Sequence, residues 1–285
     1  MEGRGDRCRD EAVLVQTPRG ALVGMLHLPE SAAHVRGVVF CDAFGEERKS
    51  SALVMARLAR AIASAGFPVL RFDYYGCGDS EGDFVDATVR TRLEDIGLAA
   101  AFLRERTGVR DLCLLGLRLG GTLAAQAAEL ASGGRDYAGL VLIEPITDGR
   151  AYFGGELRRK LVRQMLTDGR SGASRQELLE RLGCDDAVLD MDGFAVSGST
   201  YRELTALGIR KEGVSFAGPV LICQVHFNDK PKPELEAACE AYRSAGAQVE
   251  FLRLVLPPFW SRIEVILAPE LNQAVRSWLT AHILP

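Results

Sequence analysis

The sequence predicts one α/β domain, a mostly parallel sheet covered by helices on both faces. Three observations predict it. Short apolar runs rich in β-branched residues alternate with longer segments of helical periodicity. The inner runs, residues 37–41 and 112–115 among them, are apolar throughout rather than at every second position, as strands buried on both faces are. A chain of 285 residues, 47% of them hydrophobic, suits a single large domain with a sizeable core.

Two strands open the chain, at residues 12–16 and 21–27, and residues 37–41 form the first buried strand. A helix is expected from about Ser51, with Leu53, Val54, Leu58 and Ile62 on one face, ending at Gly66. Strand 68–72, a glycine-rich loop and a helix over 89–106 follow, then strand 112–115, helix 119–131 and strand 139–143. From 147 to 213 the rhythm breaks into charged helical stretches at 156–166 and 175–182 and a turn-rich piece, MDGFAVSGSTYREL. We read 147–213 as a lid or cap inserted over the carboxyl edge of a core made of 1–146 and 214–285. Strand 219–225, helix 233–245, strand 249–255 and helix 269–281 close the sheet.

Composition removes several function classes. Thirty-four basic against 38 acidic side chains leave a net charge of −4, with no basic footprint for nucleic acid. No apolar run reaches the length of a membrane span. The N-terminal MEGRGDRCRDE is charged rather than signal-like, so a soluble cytoplasmic protein is expected. Seven cysteines without C-x-x-C spacing suggest neither a disulfide framework nor a zinc site. No cofactor is expected, because the glycines of 76–82 do not open a helix as a dinucleotide fingerprint must. Oligomeric state is not legible.

Residues 112–128 read LCLLGLRLGGTLAAQAA, a buried strand passing through Gly116-Leu117-Arg118-Leu119-Gly120 into a helix of small residues. This is a strand–turn–helix elbow, whose flanking glycines let strand and helix approach and leave the central side chain above the sheet. In an active hydrolase that residue is a nucleophile whose proton a histidine can take. A guanidinium stays protonated and offers no lone pair. A second G-x-S-x-G at Gly78-Asp79-Ser80-Glu81-Gly82 lies several residues beyond its strand and precedes acidic residues, so Ser80 is set aside.

With the elbow, the runs FGEERKSS at 44–51, FDYYGCGDSEGDF at 72–84 and Pro257-Pro258-Phe259-Trp260 make the chain resemble the α/β hydrolases associated with exosortase A systems, near the group called hydrolase 2. The resemblance covers nearly the whole chain. It implies an α/β-hydrolase fold, an arginine at the elbow, a bacterial source and a link to exopolysaccharide and protein-sorting gene neighbourhoods.

The remaining triad positions are equally altered. Asp229 stands where the acid is expected, with Asp148 a second choice, while the loop after the last strand has Trp260 and no histidine. Of the four histidines, His27, His34 and His282 lie away from the expected edge; His226 ends a strand and is either hydrogen-bonded there or a general base. Only Cys41, at the end of strand 37–41, could pair with it as a nucleophile. Arg118 needs compensation, and two readings follow. It pairs with Glu46 or Glu47 of the preceding loop, or it joins Leu119, Phe44, Gly45, Glu46 and Glu47 in holding a small anionic or acyl ligand. The function expected is a binding protein for such a ligand, or for a partner, with a degenerate triad. The alternative is an esterase or acyltransferase using Cys41 with His226, or a water activated by Asp229.

Overall fold

The computed structural model describes residues 8–30, 35–131, 136–168, 174–184, 186–209, 213–262, 264 and 266–283. Eight strands form one sheet in the order β1-β2-β4-β3-β5-β6-β9-β10. β1 (Cys8–Thr17) and β2 (Gly20–Pro29) are an antiparallel hairpin, and β2 is also antiparallel to β4 (Val69–Phe72). The remaining strands, β3 (Arg36–Cys41), β5 (Asp111–Leu117), β6 (Tyr137–Ile143), β9 (Val220–His226) and β10 (Val249–Val255), run parallel to β4 and to one another. This is the α/β-hydrolase fold.

The central strands β3, β5, β6 and β9 are buried nearly end to end, which accounts for their uninterrupted apolar runs. Helices α1 (Glu46–Ser64) and α8 (Pro269–His282) cover one face, packing Leu58, Ile62, Leu271 and Leu279 onto Val38, Leu115 and Val141. On the other face lie α2 (Val89–Thr107), α3 (Leu119–Leu130) and α7 (Pro233–Ser244), with Ile96, Leu123 and Tyr242 against Leu114, Leu140 and Ile222.

Most elements fall within a few residues of their expected bounds, and two differ in kind. Helix α1 begins at Glu46 rather than near Ser51, so Glu46 and Glu47 are its first turn and not a loop. Two carboxylates in a first turn face the positive end of the helix dipole, which favours the earlier start. The piece expected to be turn-rich holds β8 (Ala195–Ser197), paired as a hairpin with β7 (Val188–Asp190) just before it, and the start of helix α6 (Gly198–Ala206), capped by the Ser197 hydroxyl. These follow α4 (Gly149–Asp168) and α5 (Arg175–Arg181) in the segment between β6 and β9. Among the described residues no helix is long and apolar enough to cross a membrane.

Candidate functional site

The elbow puts Arg118 between β5 and α3 with φ 55° and ψ −122°, a conformation that costs a non-glycine residue about 1–3 kcal/mol. Its amide donates to the Ile143 carbonyl at 2.9 Å, and its own carbonyl accepts from Gly121 at 3.0 Å. The flanking glycines are required by packing. A Cβ on Gly120 would lie 2.0 Å from the Cys41 carbonyl oxygen, and one on Gly116 would lie 2.3 Å from that of Gly120. The backbone is therefore built to present a side chain at the carboxyl edge of the sheet, and the side chain presented is a cation.

That cation is neutralised from within. Arg118 Nε lies 3.0 Å from Glu47 Oε1, and Nη1 donates to the Glu144 carbonyl at 3.3 Å. The other Glu47 oxygen accepts from the Tyr152 hydroxyl at 3.0 Å. Burial, reinforced by the Glu47 carboxylate, holds the Tyr152 phenol well above its usual pKa, so it remains a donor. The guanidinium lies 5.1 Å from the Trp260 ring and 5.7 Å from that of Tyr152. The contact with Glu47 is single rather than a two-pronged fork, and Tyr152 takes the second oxygen. The cavity beside this pair, lined by Phe44, Glu47, Tyr152, Phe153 and Phe194, measures about 40 Å3, the room of a water or two.

The other sequence-predicted residues divide around this cluster. Trp260 is buried against Phe259 and against Arg118. Phe44 is buried against Phe84, Gly45 precedes α1, and Leu119 is buried in the first turn of α3. Glu46 points to solvent and pairs with Lys49 at 3.4 Å. Asp229 is exposed and pairs with Arg253 at 3.2 Å. Asp148 is exposed and accepts the Ala151 amide at 3.0 Å.

Cys41 and His226 are not brought together. Strands β5 and β6 separate β3 from β9, three strand spacings or roughly 14 Å. Burial pushes the Cys41 thiol far up, away from the thiolate that a nucleophile needs. His226 is half-buried, its Nδ1 3.4 Å from the Asn228 amide. Ser80 is a loop-setting residue whose hydroxyl donates to the Asp73 carbonyl at 2.6 Å and accepts from the Val23 amide at 2.8 Å. His27 lies inside β2 and bonds Asp10 at 2.6 Å; His282 stacks on Trp278; His34 lies outside the described residues.

Two residues of the site were not singled out from sequence. Glu144, at positive φ directly after β6, turns its carboxylate to the Val225 amide at 2.9 Å and to the Lys232 ammonium. A charged residue closing the buried run 139–143 just before Pro145 was a readable signal. Tyr152, on α4, had none.

Residues 33–179, just over half the chain, match the family described as Serine aminopeptidase, S33. No curated protein sequence matches the chain. In fold the chain is similar to Est1E from Butyrivibrio proteoclasticus, solved with ferulic acid bound, at 18% identity over 95% of this chain and 99% of that one, with a TM-score of 0.66. It is likewise similar to the Pyrococcus furiosus esterase Pf2001, at 12% identity over 99% and 94% with a TM-score of 0.64. A serine hydrolase without a lid from Xanthomonas campestris aligns at 16% identity over 97% and 96%, with a TM-score of 0.57.

Proposed function

We propose that this chain, which belongs to the serine aminopeptidase S33 family of hydrolases, is a member without serine-type hydrolysis that binds a small anionic or acyl ligand on the hydrolase scaffold. The observation that carries the reading is the Arg118–Glu47 pair at 3.0 Å, packed under Trp260. A guanidinium cannot attack a carbonyl, and this one is held by an internal carboxylate where a nucleophile would need a free path to substrate. An indole where a histidine would serve as base removes the proton acceptor as well. The triad is degenerate at two positions at once.

In this reading residues 147–213 are a lid over the carboxyl edge of a core made of 1–146 and 214–285. Support comes from Tyr152 of α4 bonding Glu47 and from Phe194 packing on Phe84 at 5.0 Å. The exosortase-type resemblance extends the proposal to a cytoplasmic role in an exopolysaccharide-linked pathway.

The test is turnover by purified protein of p-nitrophenyl acetate, p-nitrophenyl butyrate and aminoacyl p-nitroanilides. The expected result is no turnover above buffer. Clear turnover that Arg118→Ala abolishes would overturn the reading.

A further inference from the structure

A buried arginine on the same sheet edge makes no direct ion pair among the described residues; the buried Asp95, one turn on in α2, acts on it only at longer range and is itself bonded to Arg19. Arg92 of α2 is 3% exposed, yet no carboxylate oxygen lies within 4.0 Å of its nitrogens among the described residues. Its Nε donates to the Ala87 carbonyl at 3.3 Å, and its Nη2 lies 3.3 Å from Cys77 Sγ. Three rings surround it, Phe44 at 5.1 Å, Tyr74 at 5.0 Å and Phe84 at 5.5 Å. Aromatic faces return part of the solvation a buried cation loses, but they do not cancel its charge. Arginine cannot escape by losing its proton.

Arg92 lines a cavity of about 160 Å3 between the loop after β3, the loop after β4 and the turn before β8. Arg48, Cys77, Gly78, Phe84 and Phe194 contribute to the same wall, and none of the residues lining the cavity carries a carboxylate. Arg48 is engaged by Asp73, with Asp42 at 3.7 Å, so it adds a positive wall whose own partners lie elsewhere. The guanidinium in the cavity wall without a directly paired carboxylate is that of Arg92.

We propose that Arg92, not Arg118, is the anion-binding group of this chain, and that the cavity takes a small carboxylate with a short apolar tail. The carboxylate meets the guanidinium, and the tail lies on Phe84 and Phe194. A phosphate would satisfy Arg92 but make no use of the apolar surface that Phe84 and Phe194 give the cavity wall. The proposal rests on the reading that the chain binds a small anion and moves the contact away from the elbow.

The experiment is isothermal titration of the full chain with sodium butyrate, sodium formate and sodium phosphate at matched ionic strength. Alongside it, alkylation of Cys77 by iodoacetamide is located by peptide mass spectrometry. Saturable butyrate binding that protects Cys77 is expected. Arg92→Lys should weaken it roughly tenfold or more, because an ammonium cannot reproduce the planar fork. Phe194→Ala, on the cavity rim, should weaken butyrate and spare formate. Absence of saturable butyrate binding in the tens of millimolar overturns the proposal, as does undiminished binding by folded Arg92→Lys. Binding of phosphate in place of butyrate overturns the carboxylate assignment. If Arg92→Lys does not fold, Phe194→Ala decides, and unchanged butyrate affinity there counts against the site. The ester assay is separate: butyrate binding together with Arg118-dependent turnover defeats the non-hydrolytic reading and leaves this site standing.

Discussion

Arg118 and Arg92 face the same carboxyl edge of the sheet and meet the cost of a buried guanidinium in opposite ways. Arg118 is 16% exposed by side chain, paired with Glu47 and flanked by a cavity of about 40 Å3. Arg92 is more deeply buried, is contacted directly by a carbonyl, a thiol and three rings but by no carboxylate among the described residues, and opens on about 160 Å3. A satisfied cation fills a site, whereas an unsatisfied one leaves a demand that a ligand can meet. His27 shows a third solution, since burial lowers its pKa from 6.5 and the imidazole sheds its charge despite Asp10 alongside.

The contrast breaks most severely at Glu47. Glu47→Ala strands the guanidinium and the Tyr152 hydroxyl together, and should cost about 3–5 kcal/mol in urea unfolding. The pair Glu47→Leu with Arg118→Met should recover most of that loss, and the double-mutant cycle measures the coupling. Gly120→Ala comes next. Its Cβ would meet the Cys41 carbonyl oxygen at 2.0 Å, and the clash should cost about 1–3 kcal/mol or more by the same measurement.

A converse change gives Arg92 what Arg118 already has. Cys77→Asp places a carboxylate where Sγ now lies 3.3 Å from Nη2. Stability should stay within about 1 kcal/mol of the parent, because the gain in pairing is set against desolvation. Butyrate binding should disappear.

The smallest effect is the pH dependence of His27. Its folded pKa lies below 6.5, so the unfolded chain binds more protons as the pH falls through that value. The stability it contributes is complete above pH 6.5 and is lost as pH drops toward the folded pKa. His27→Leu should flatten that part of the urea-midpoint profile; an unchanged slope would mean that His27 titrates alike in both states.

Much of the fold was legible because its signals are local. The apolar runs of β3, β5, β6 and β9 record burial on both faces, and Gly116 and Gly120 record a close approach of strand and helix. The site was legible only in part. The sequence offered Glu46 and Glu47 equally, and their fates diverged because α1 starts at Glu46. Successive helical residues point about 100° apart, so one carboxylate faces solvent and Lys49 while the other turns to Arg118. The Cys41–His226 pairing failed on sheet order, which no local pattern states. Arg92 gave no sign at all, since an arginine in an amphipathic helix reads as a solvated face.

By itself the sequence determined the strand order along the chain, the elbow, its arginine and the tryptophan in the last loop. Each of these is set by residues close together in the chain, whose spacing fixes backbone period and turn geometry. Only the tertiary structure decided which carboxylate neutralises Arg118, that Tyr152 and Trp260 enclose it, and that Arg92 is buried without a direct ion pair among the described residues. Those outcomes depend on where separate elements meet, and the strength with which two charges act on each other is set by the distance and burial that the completed fold gives them.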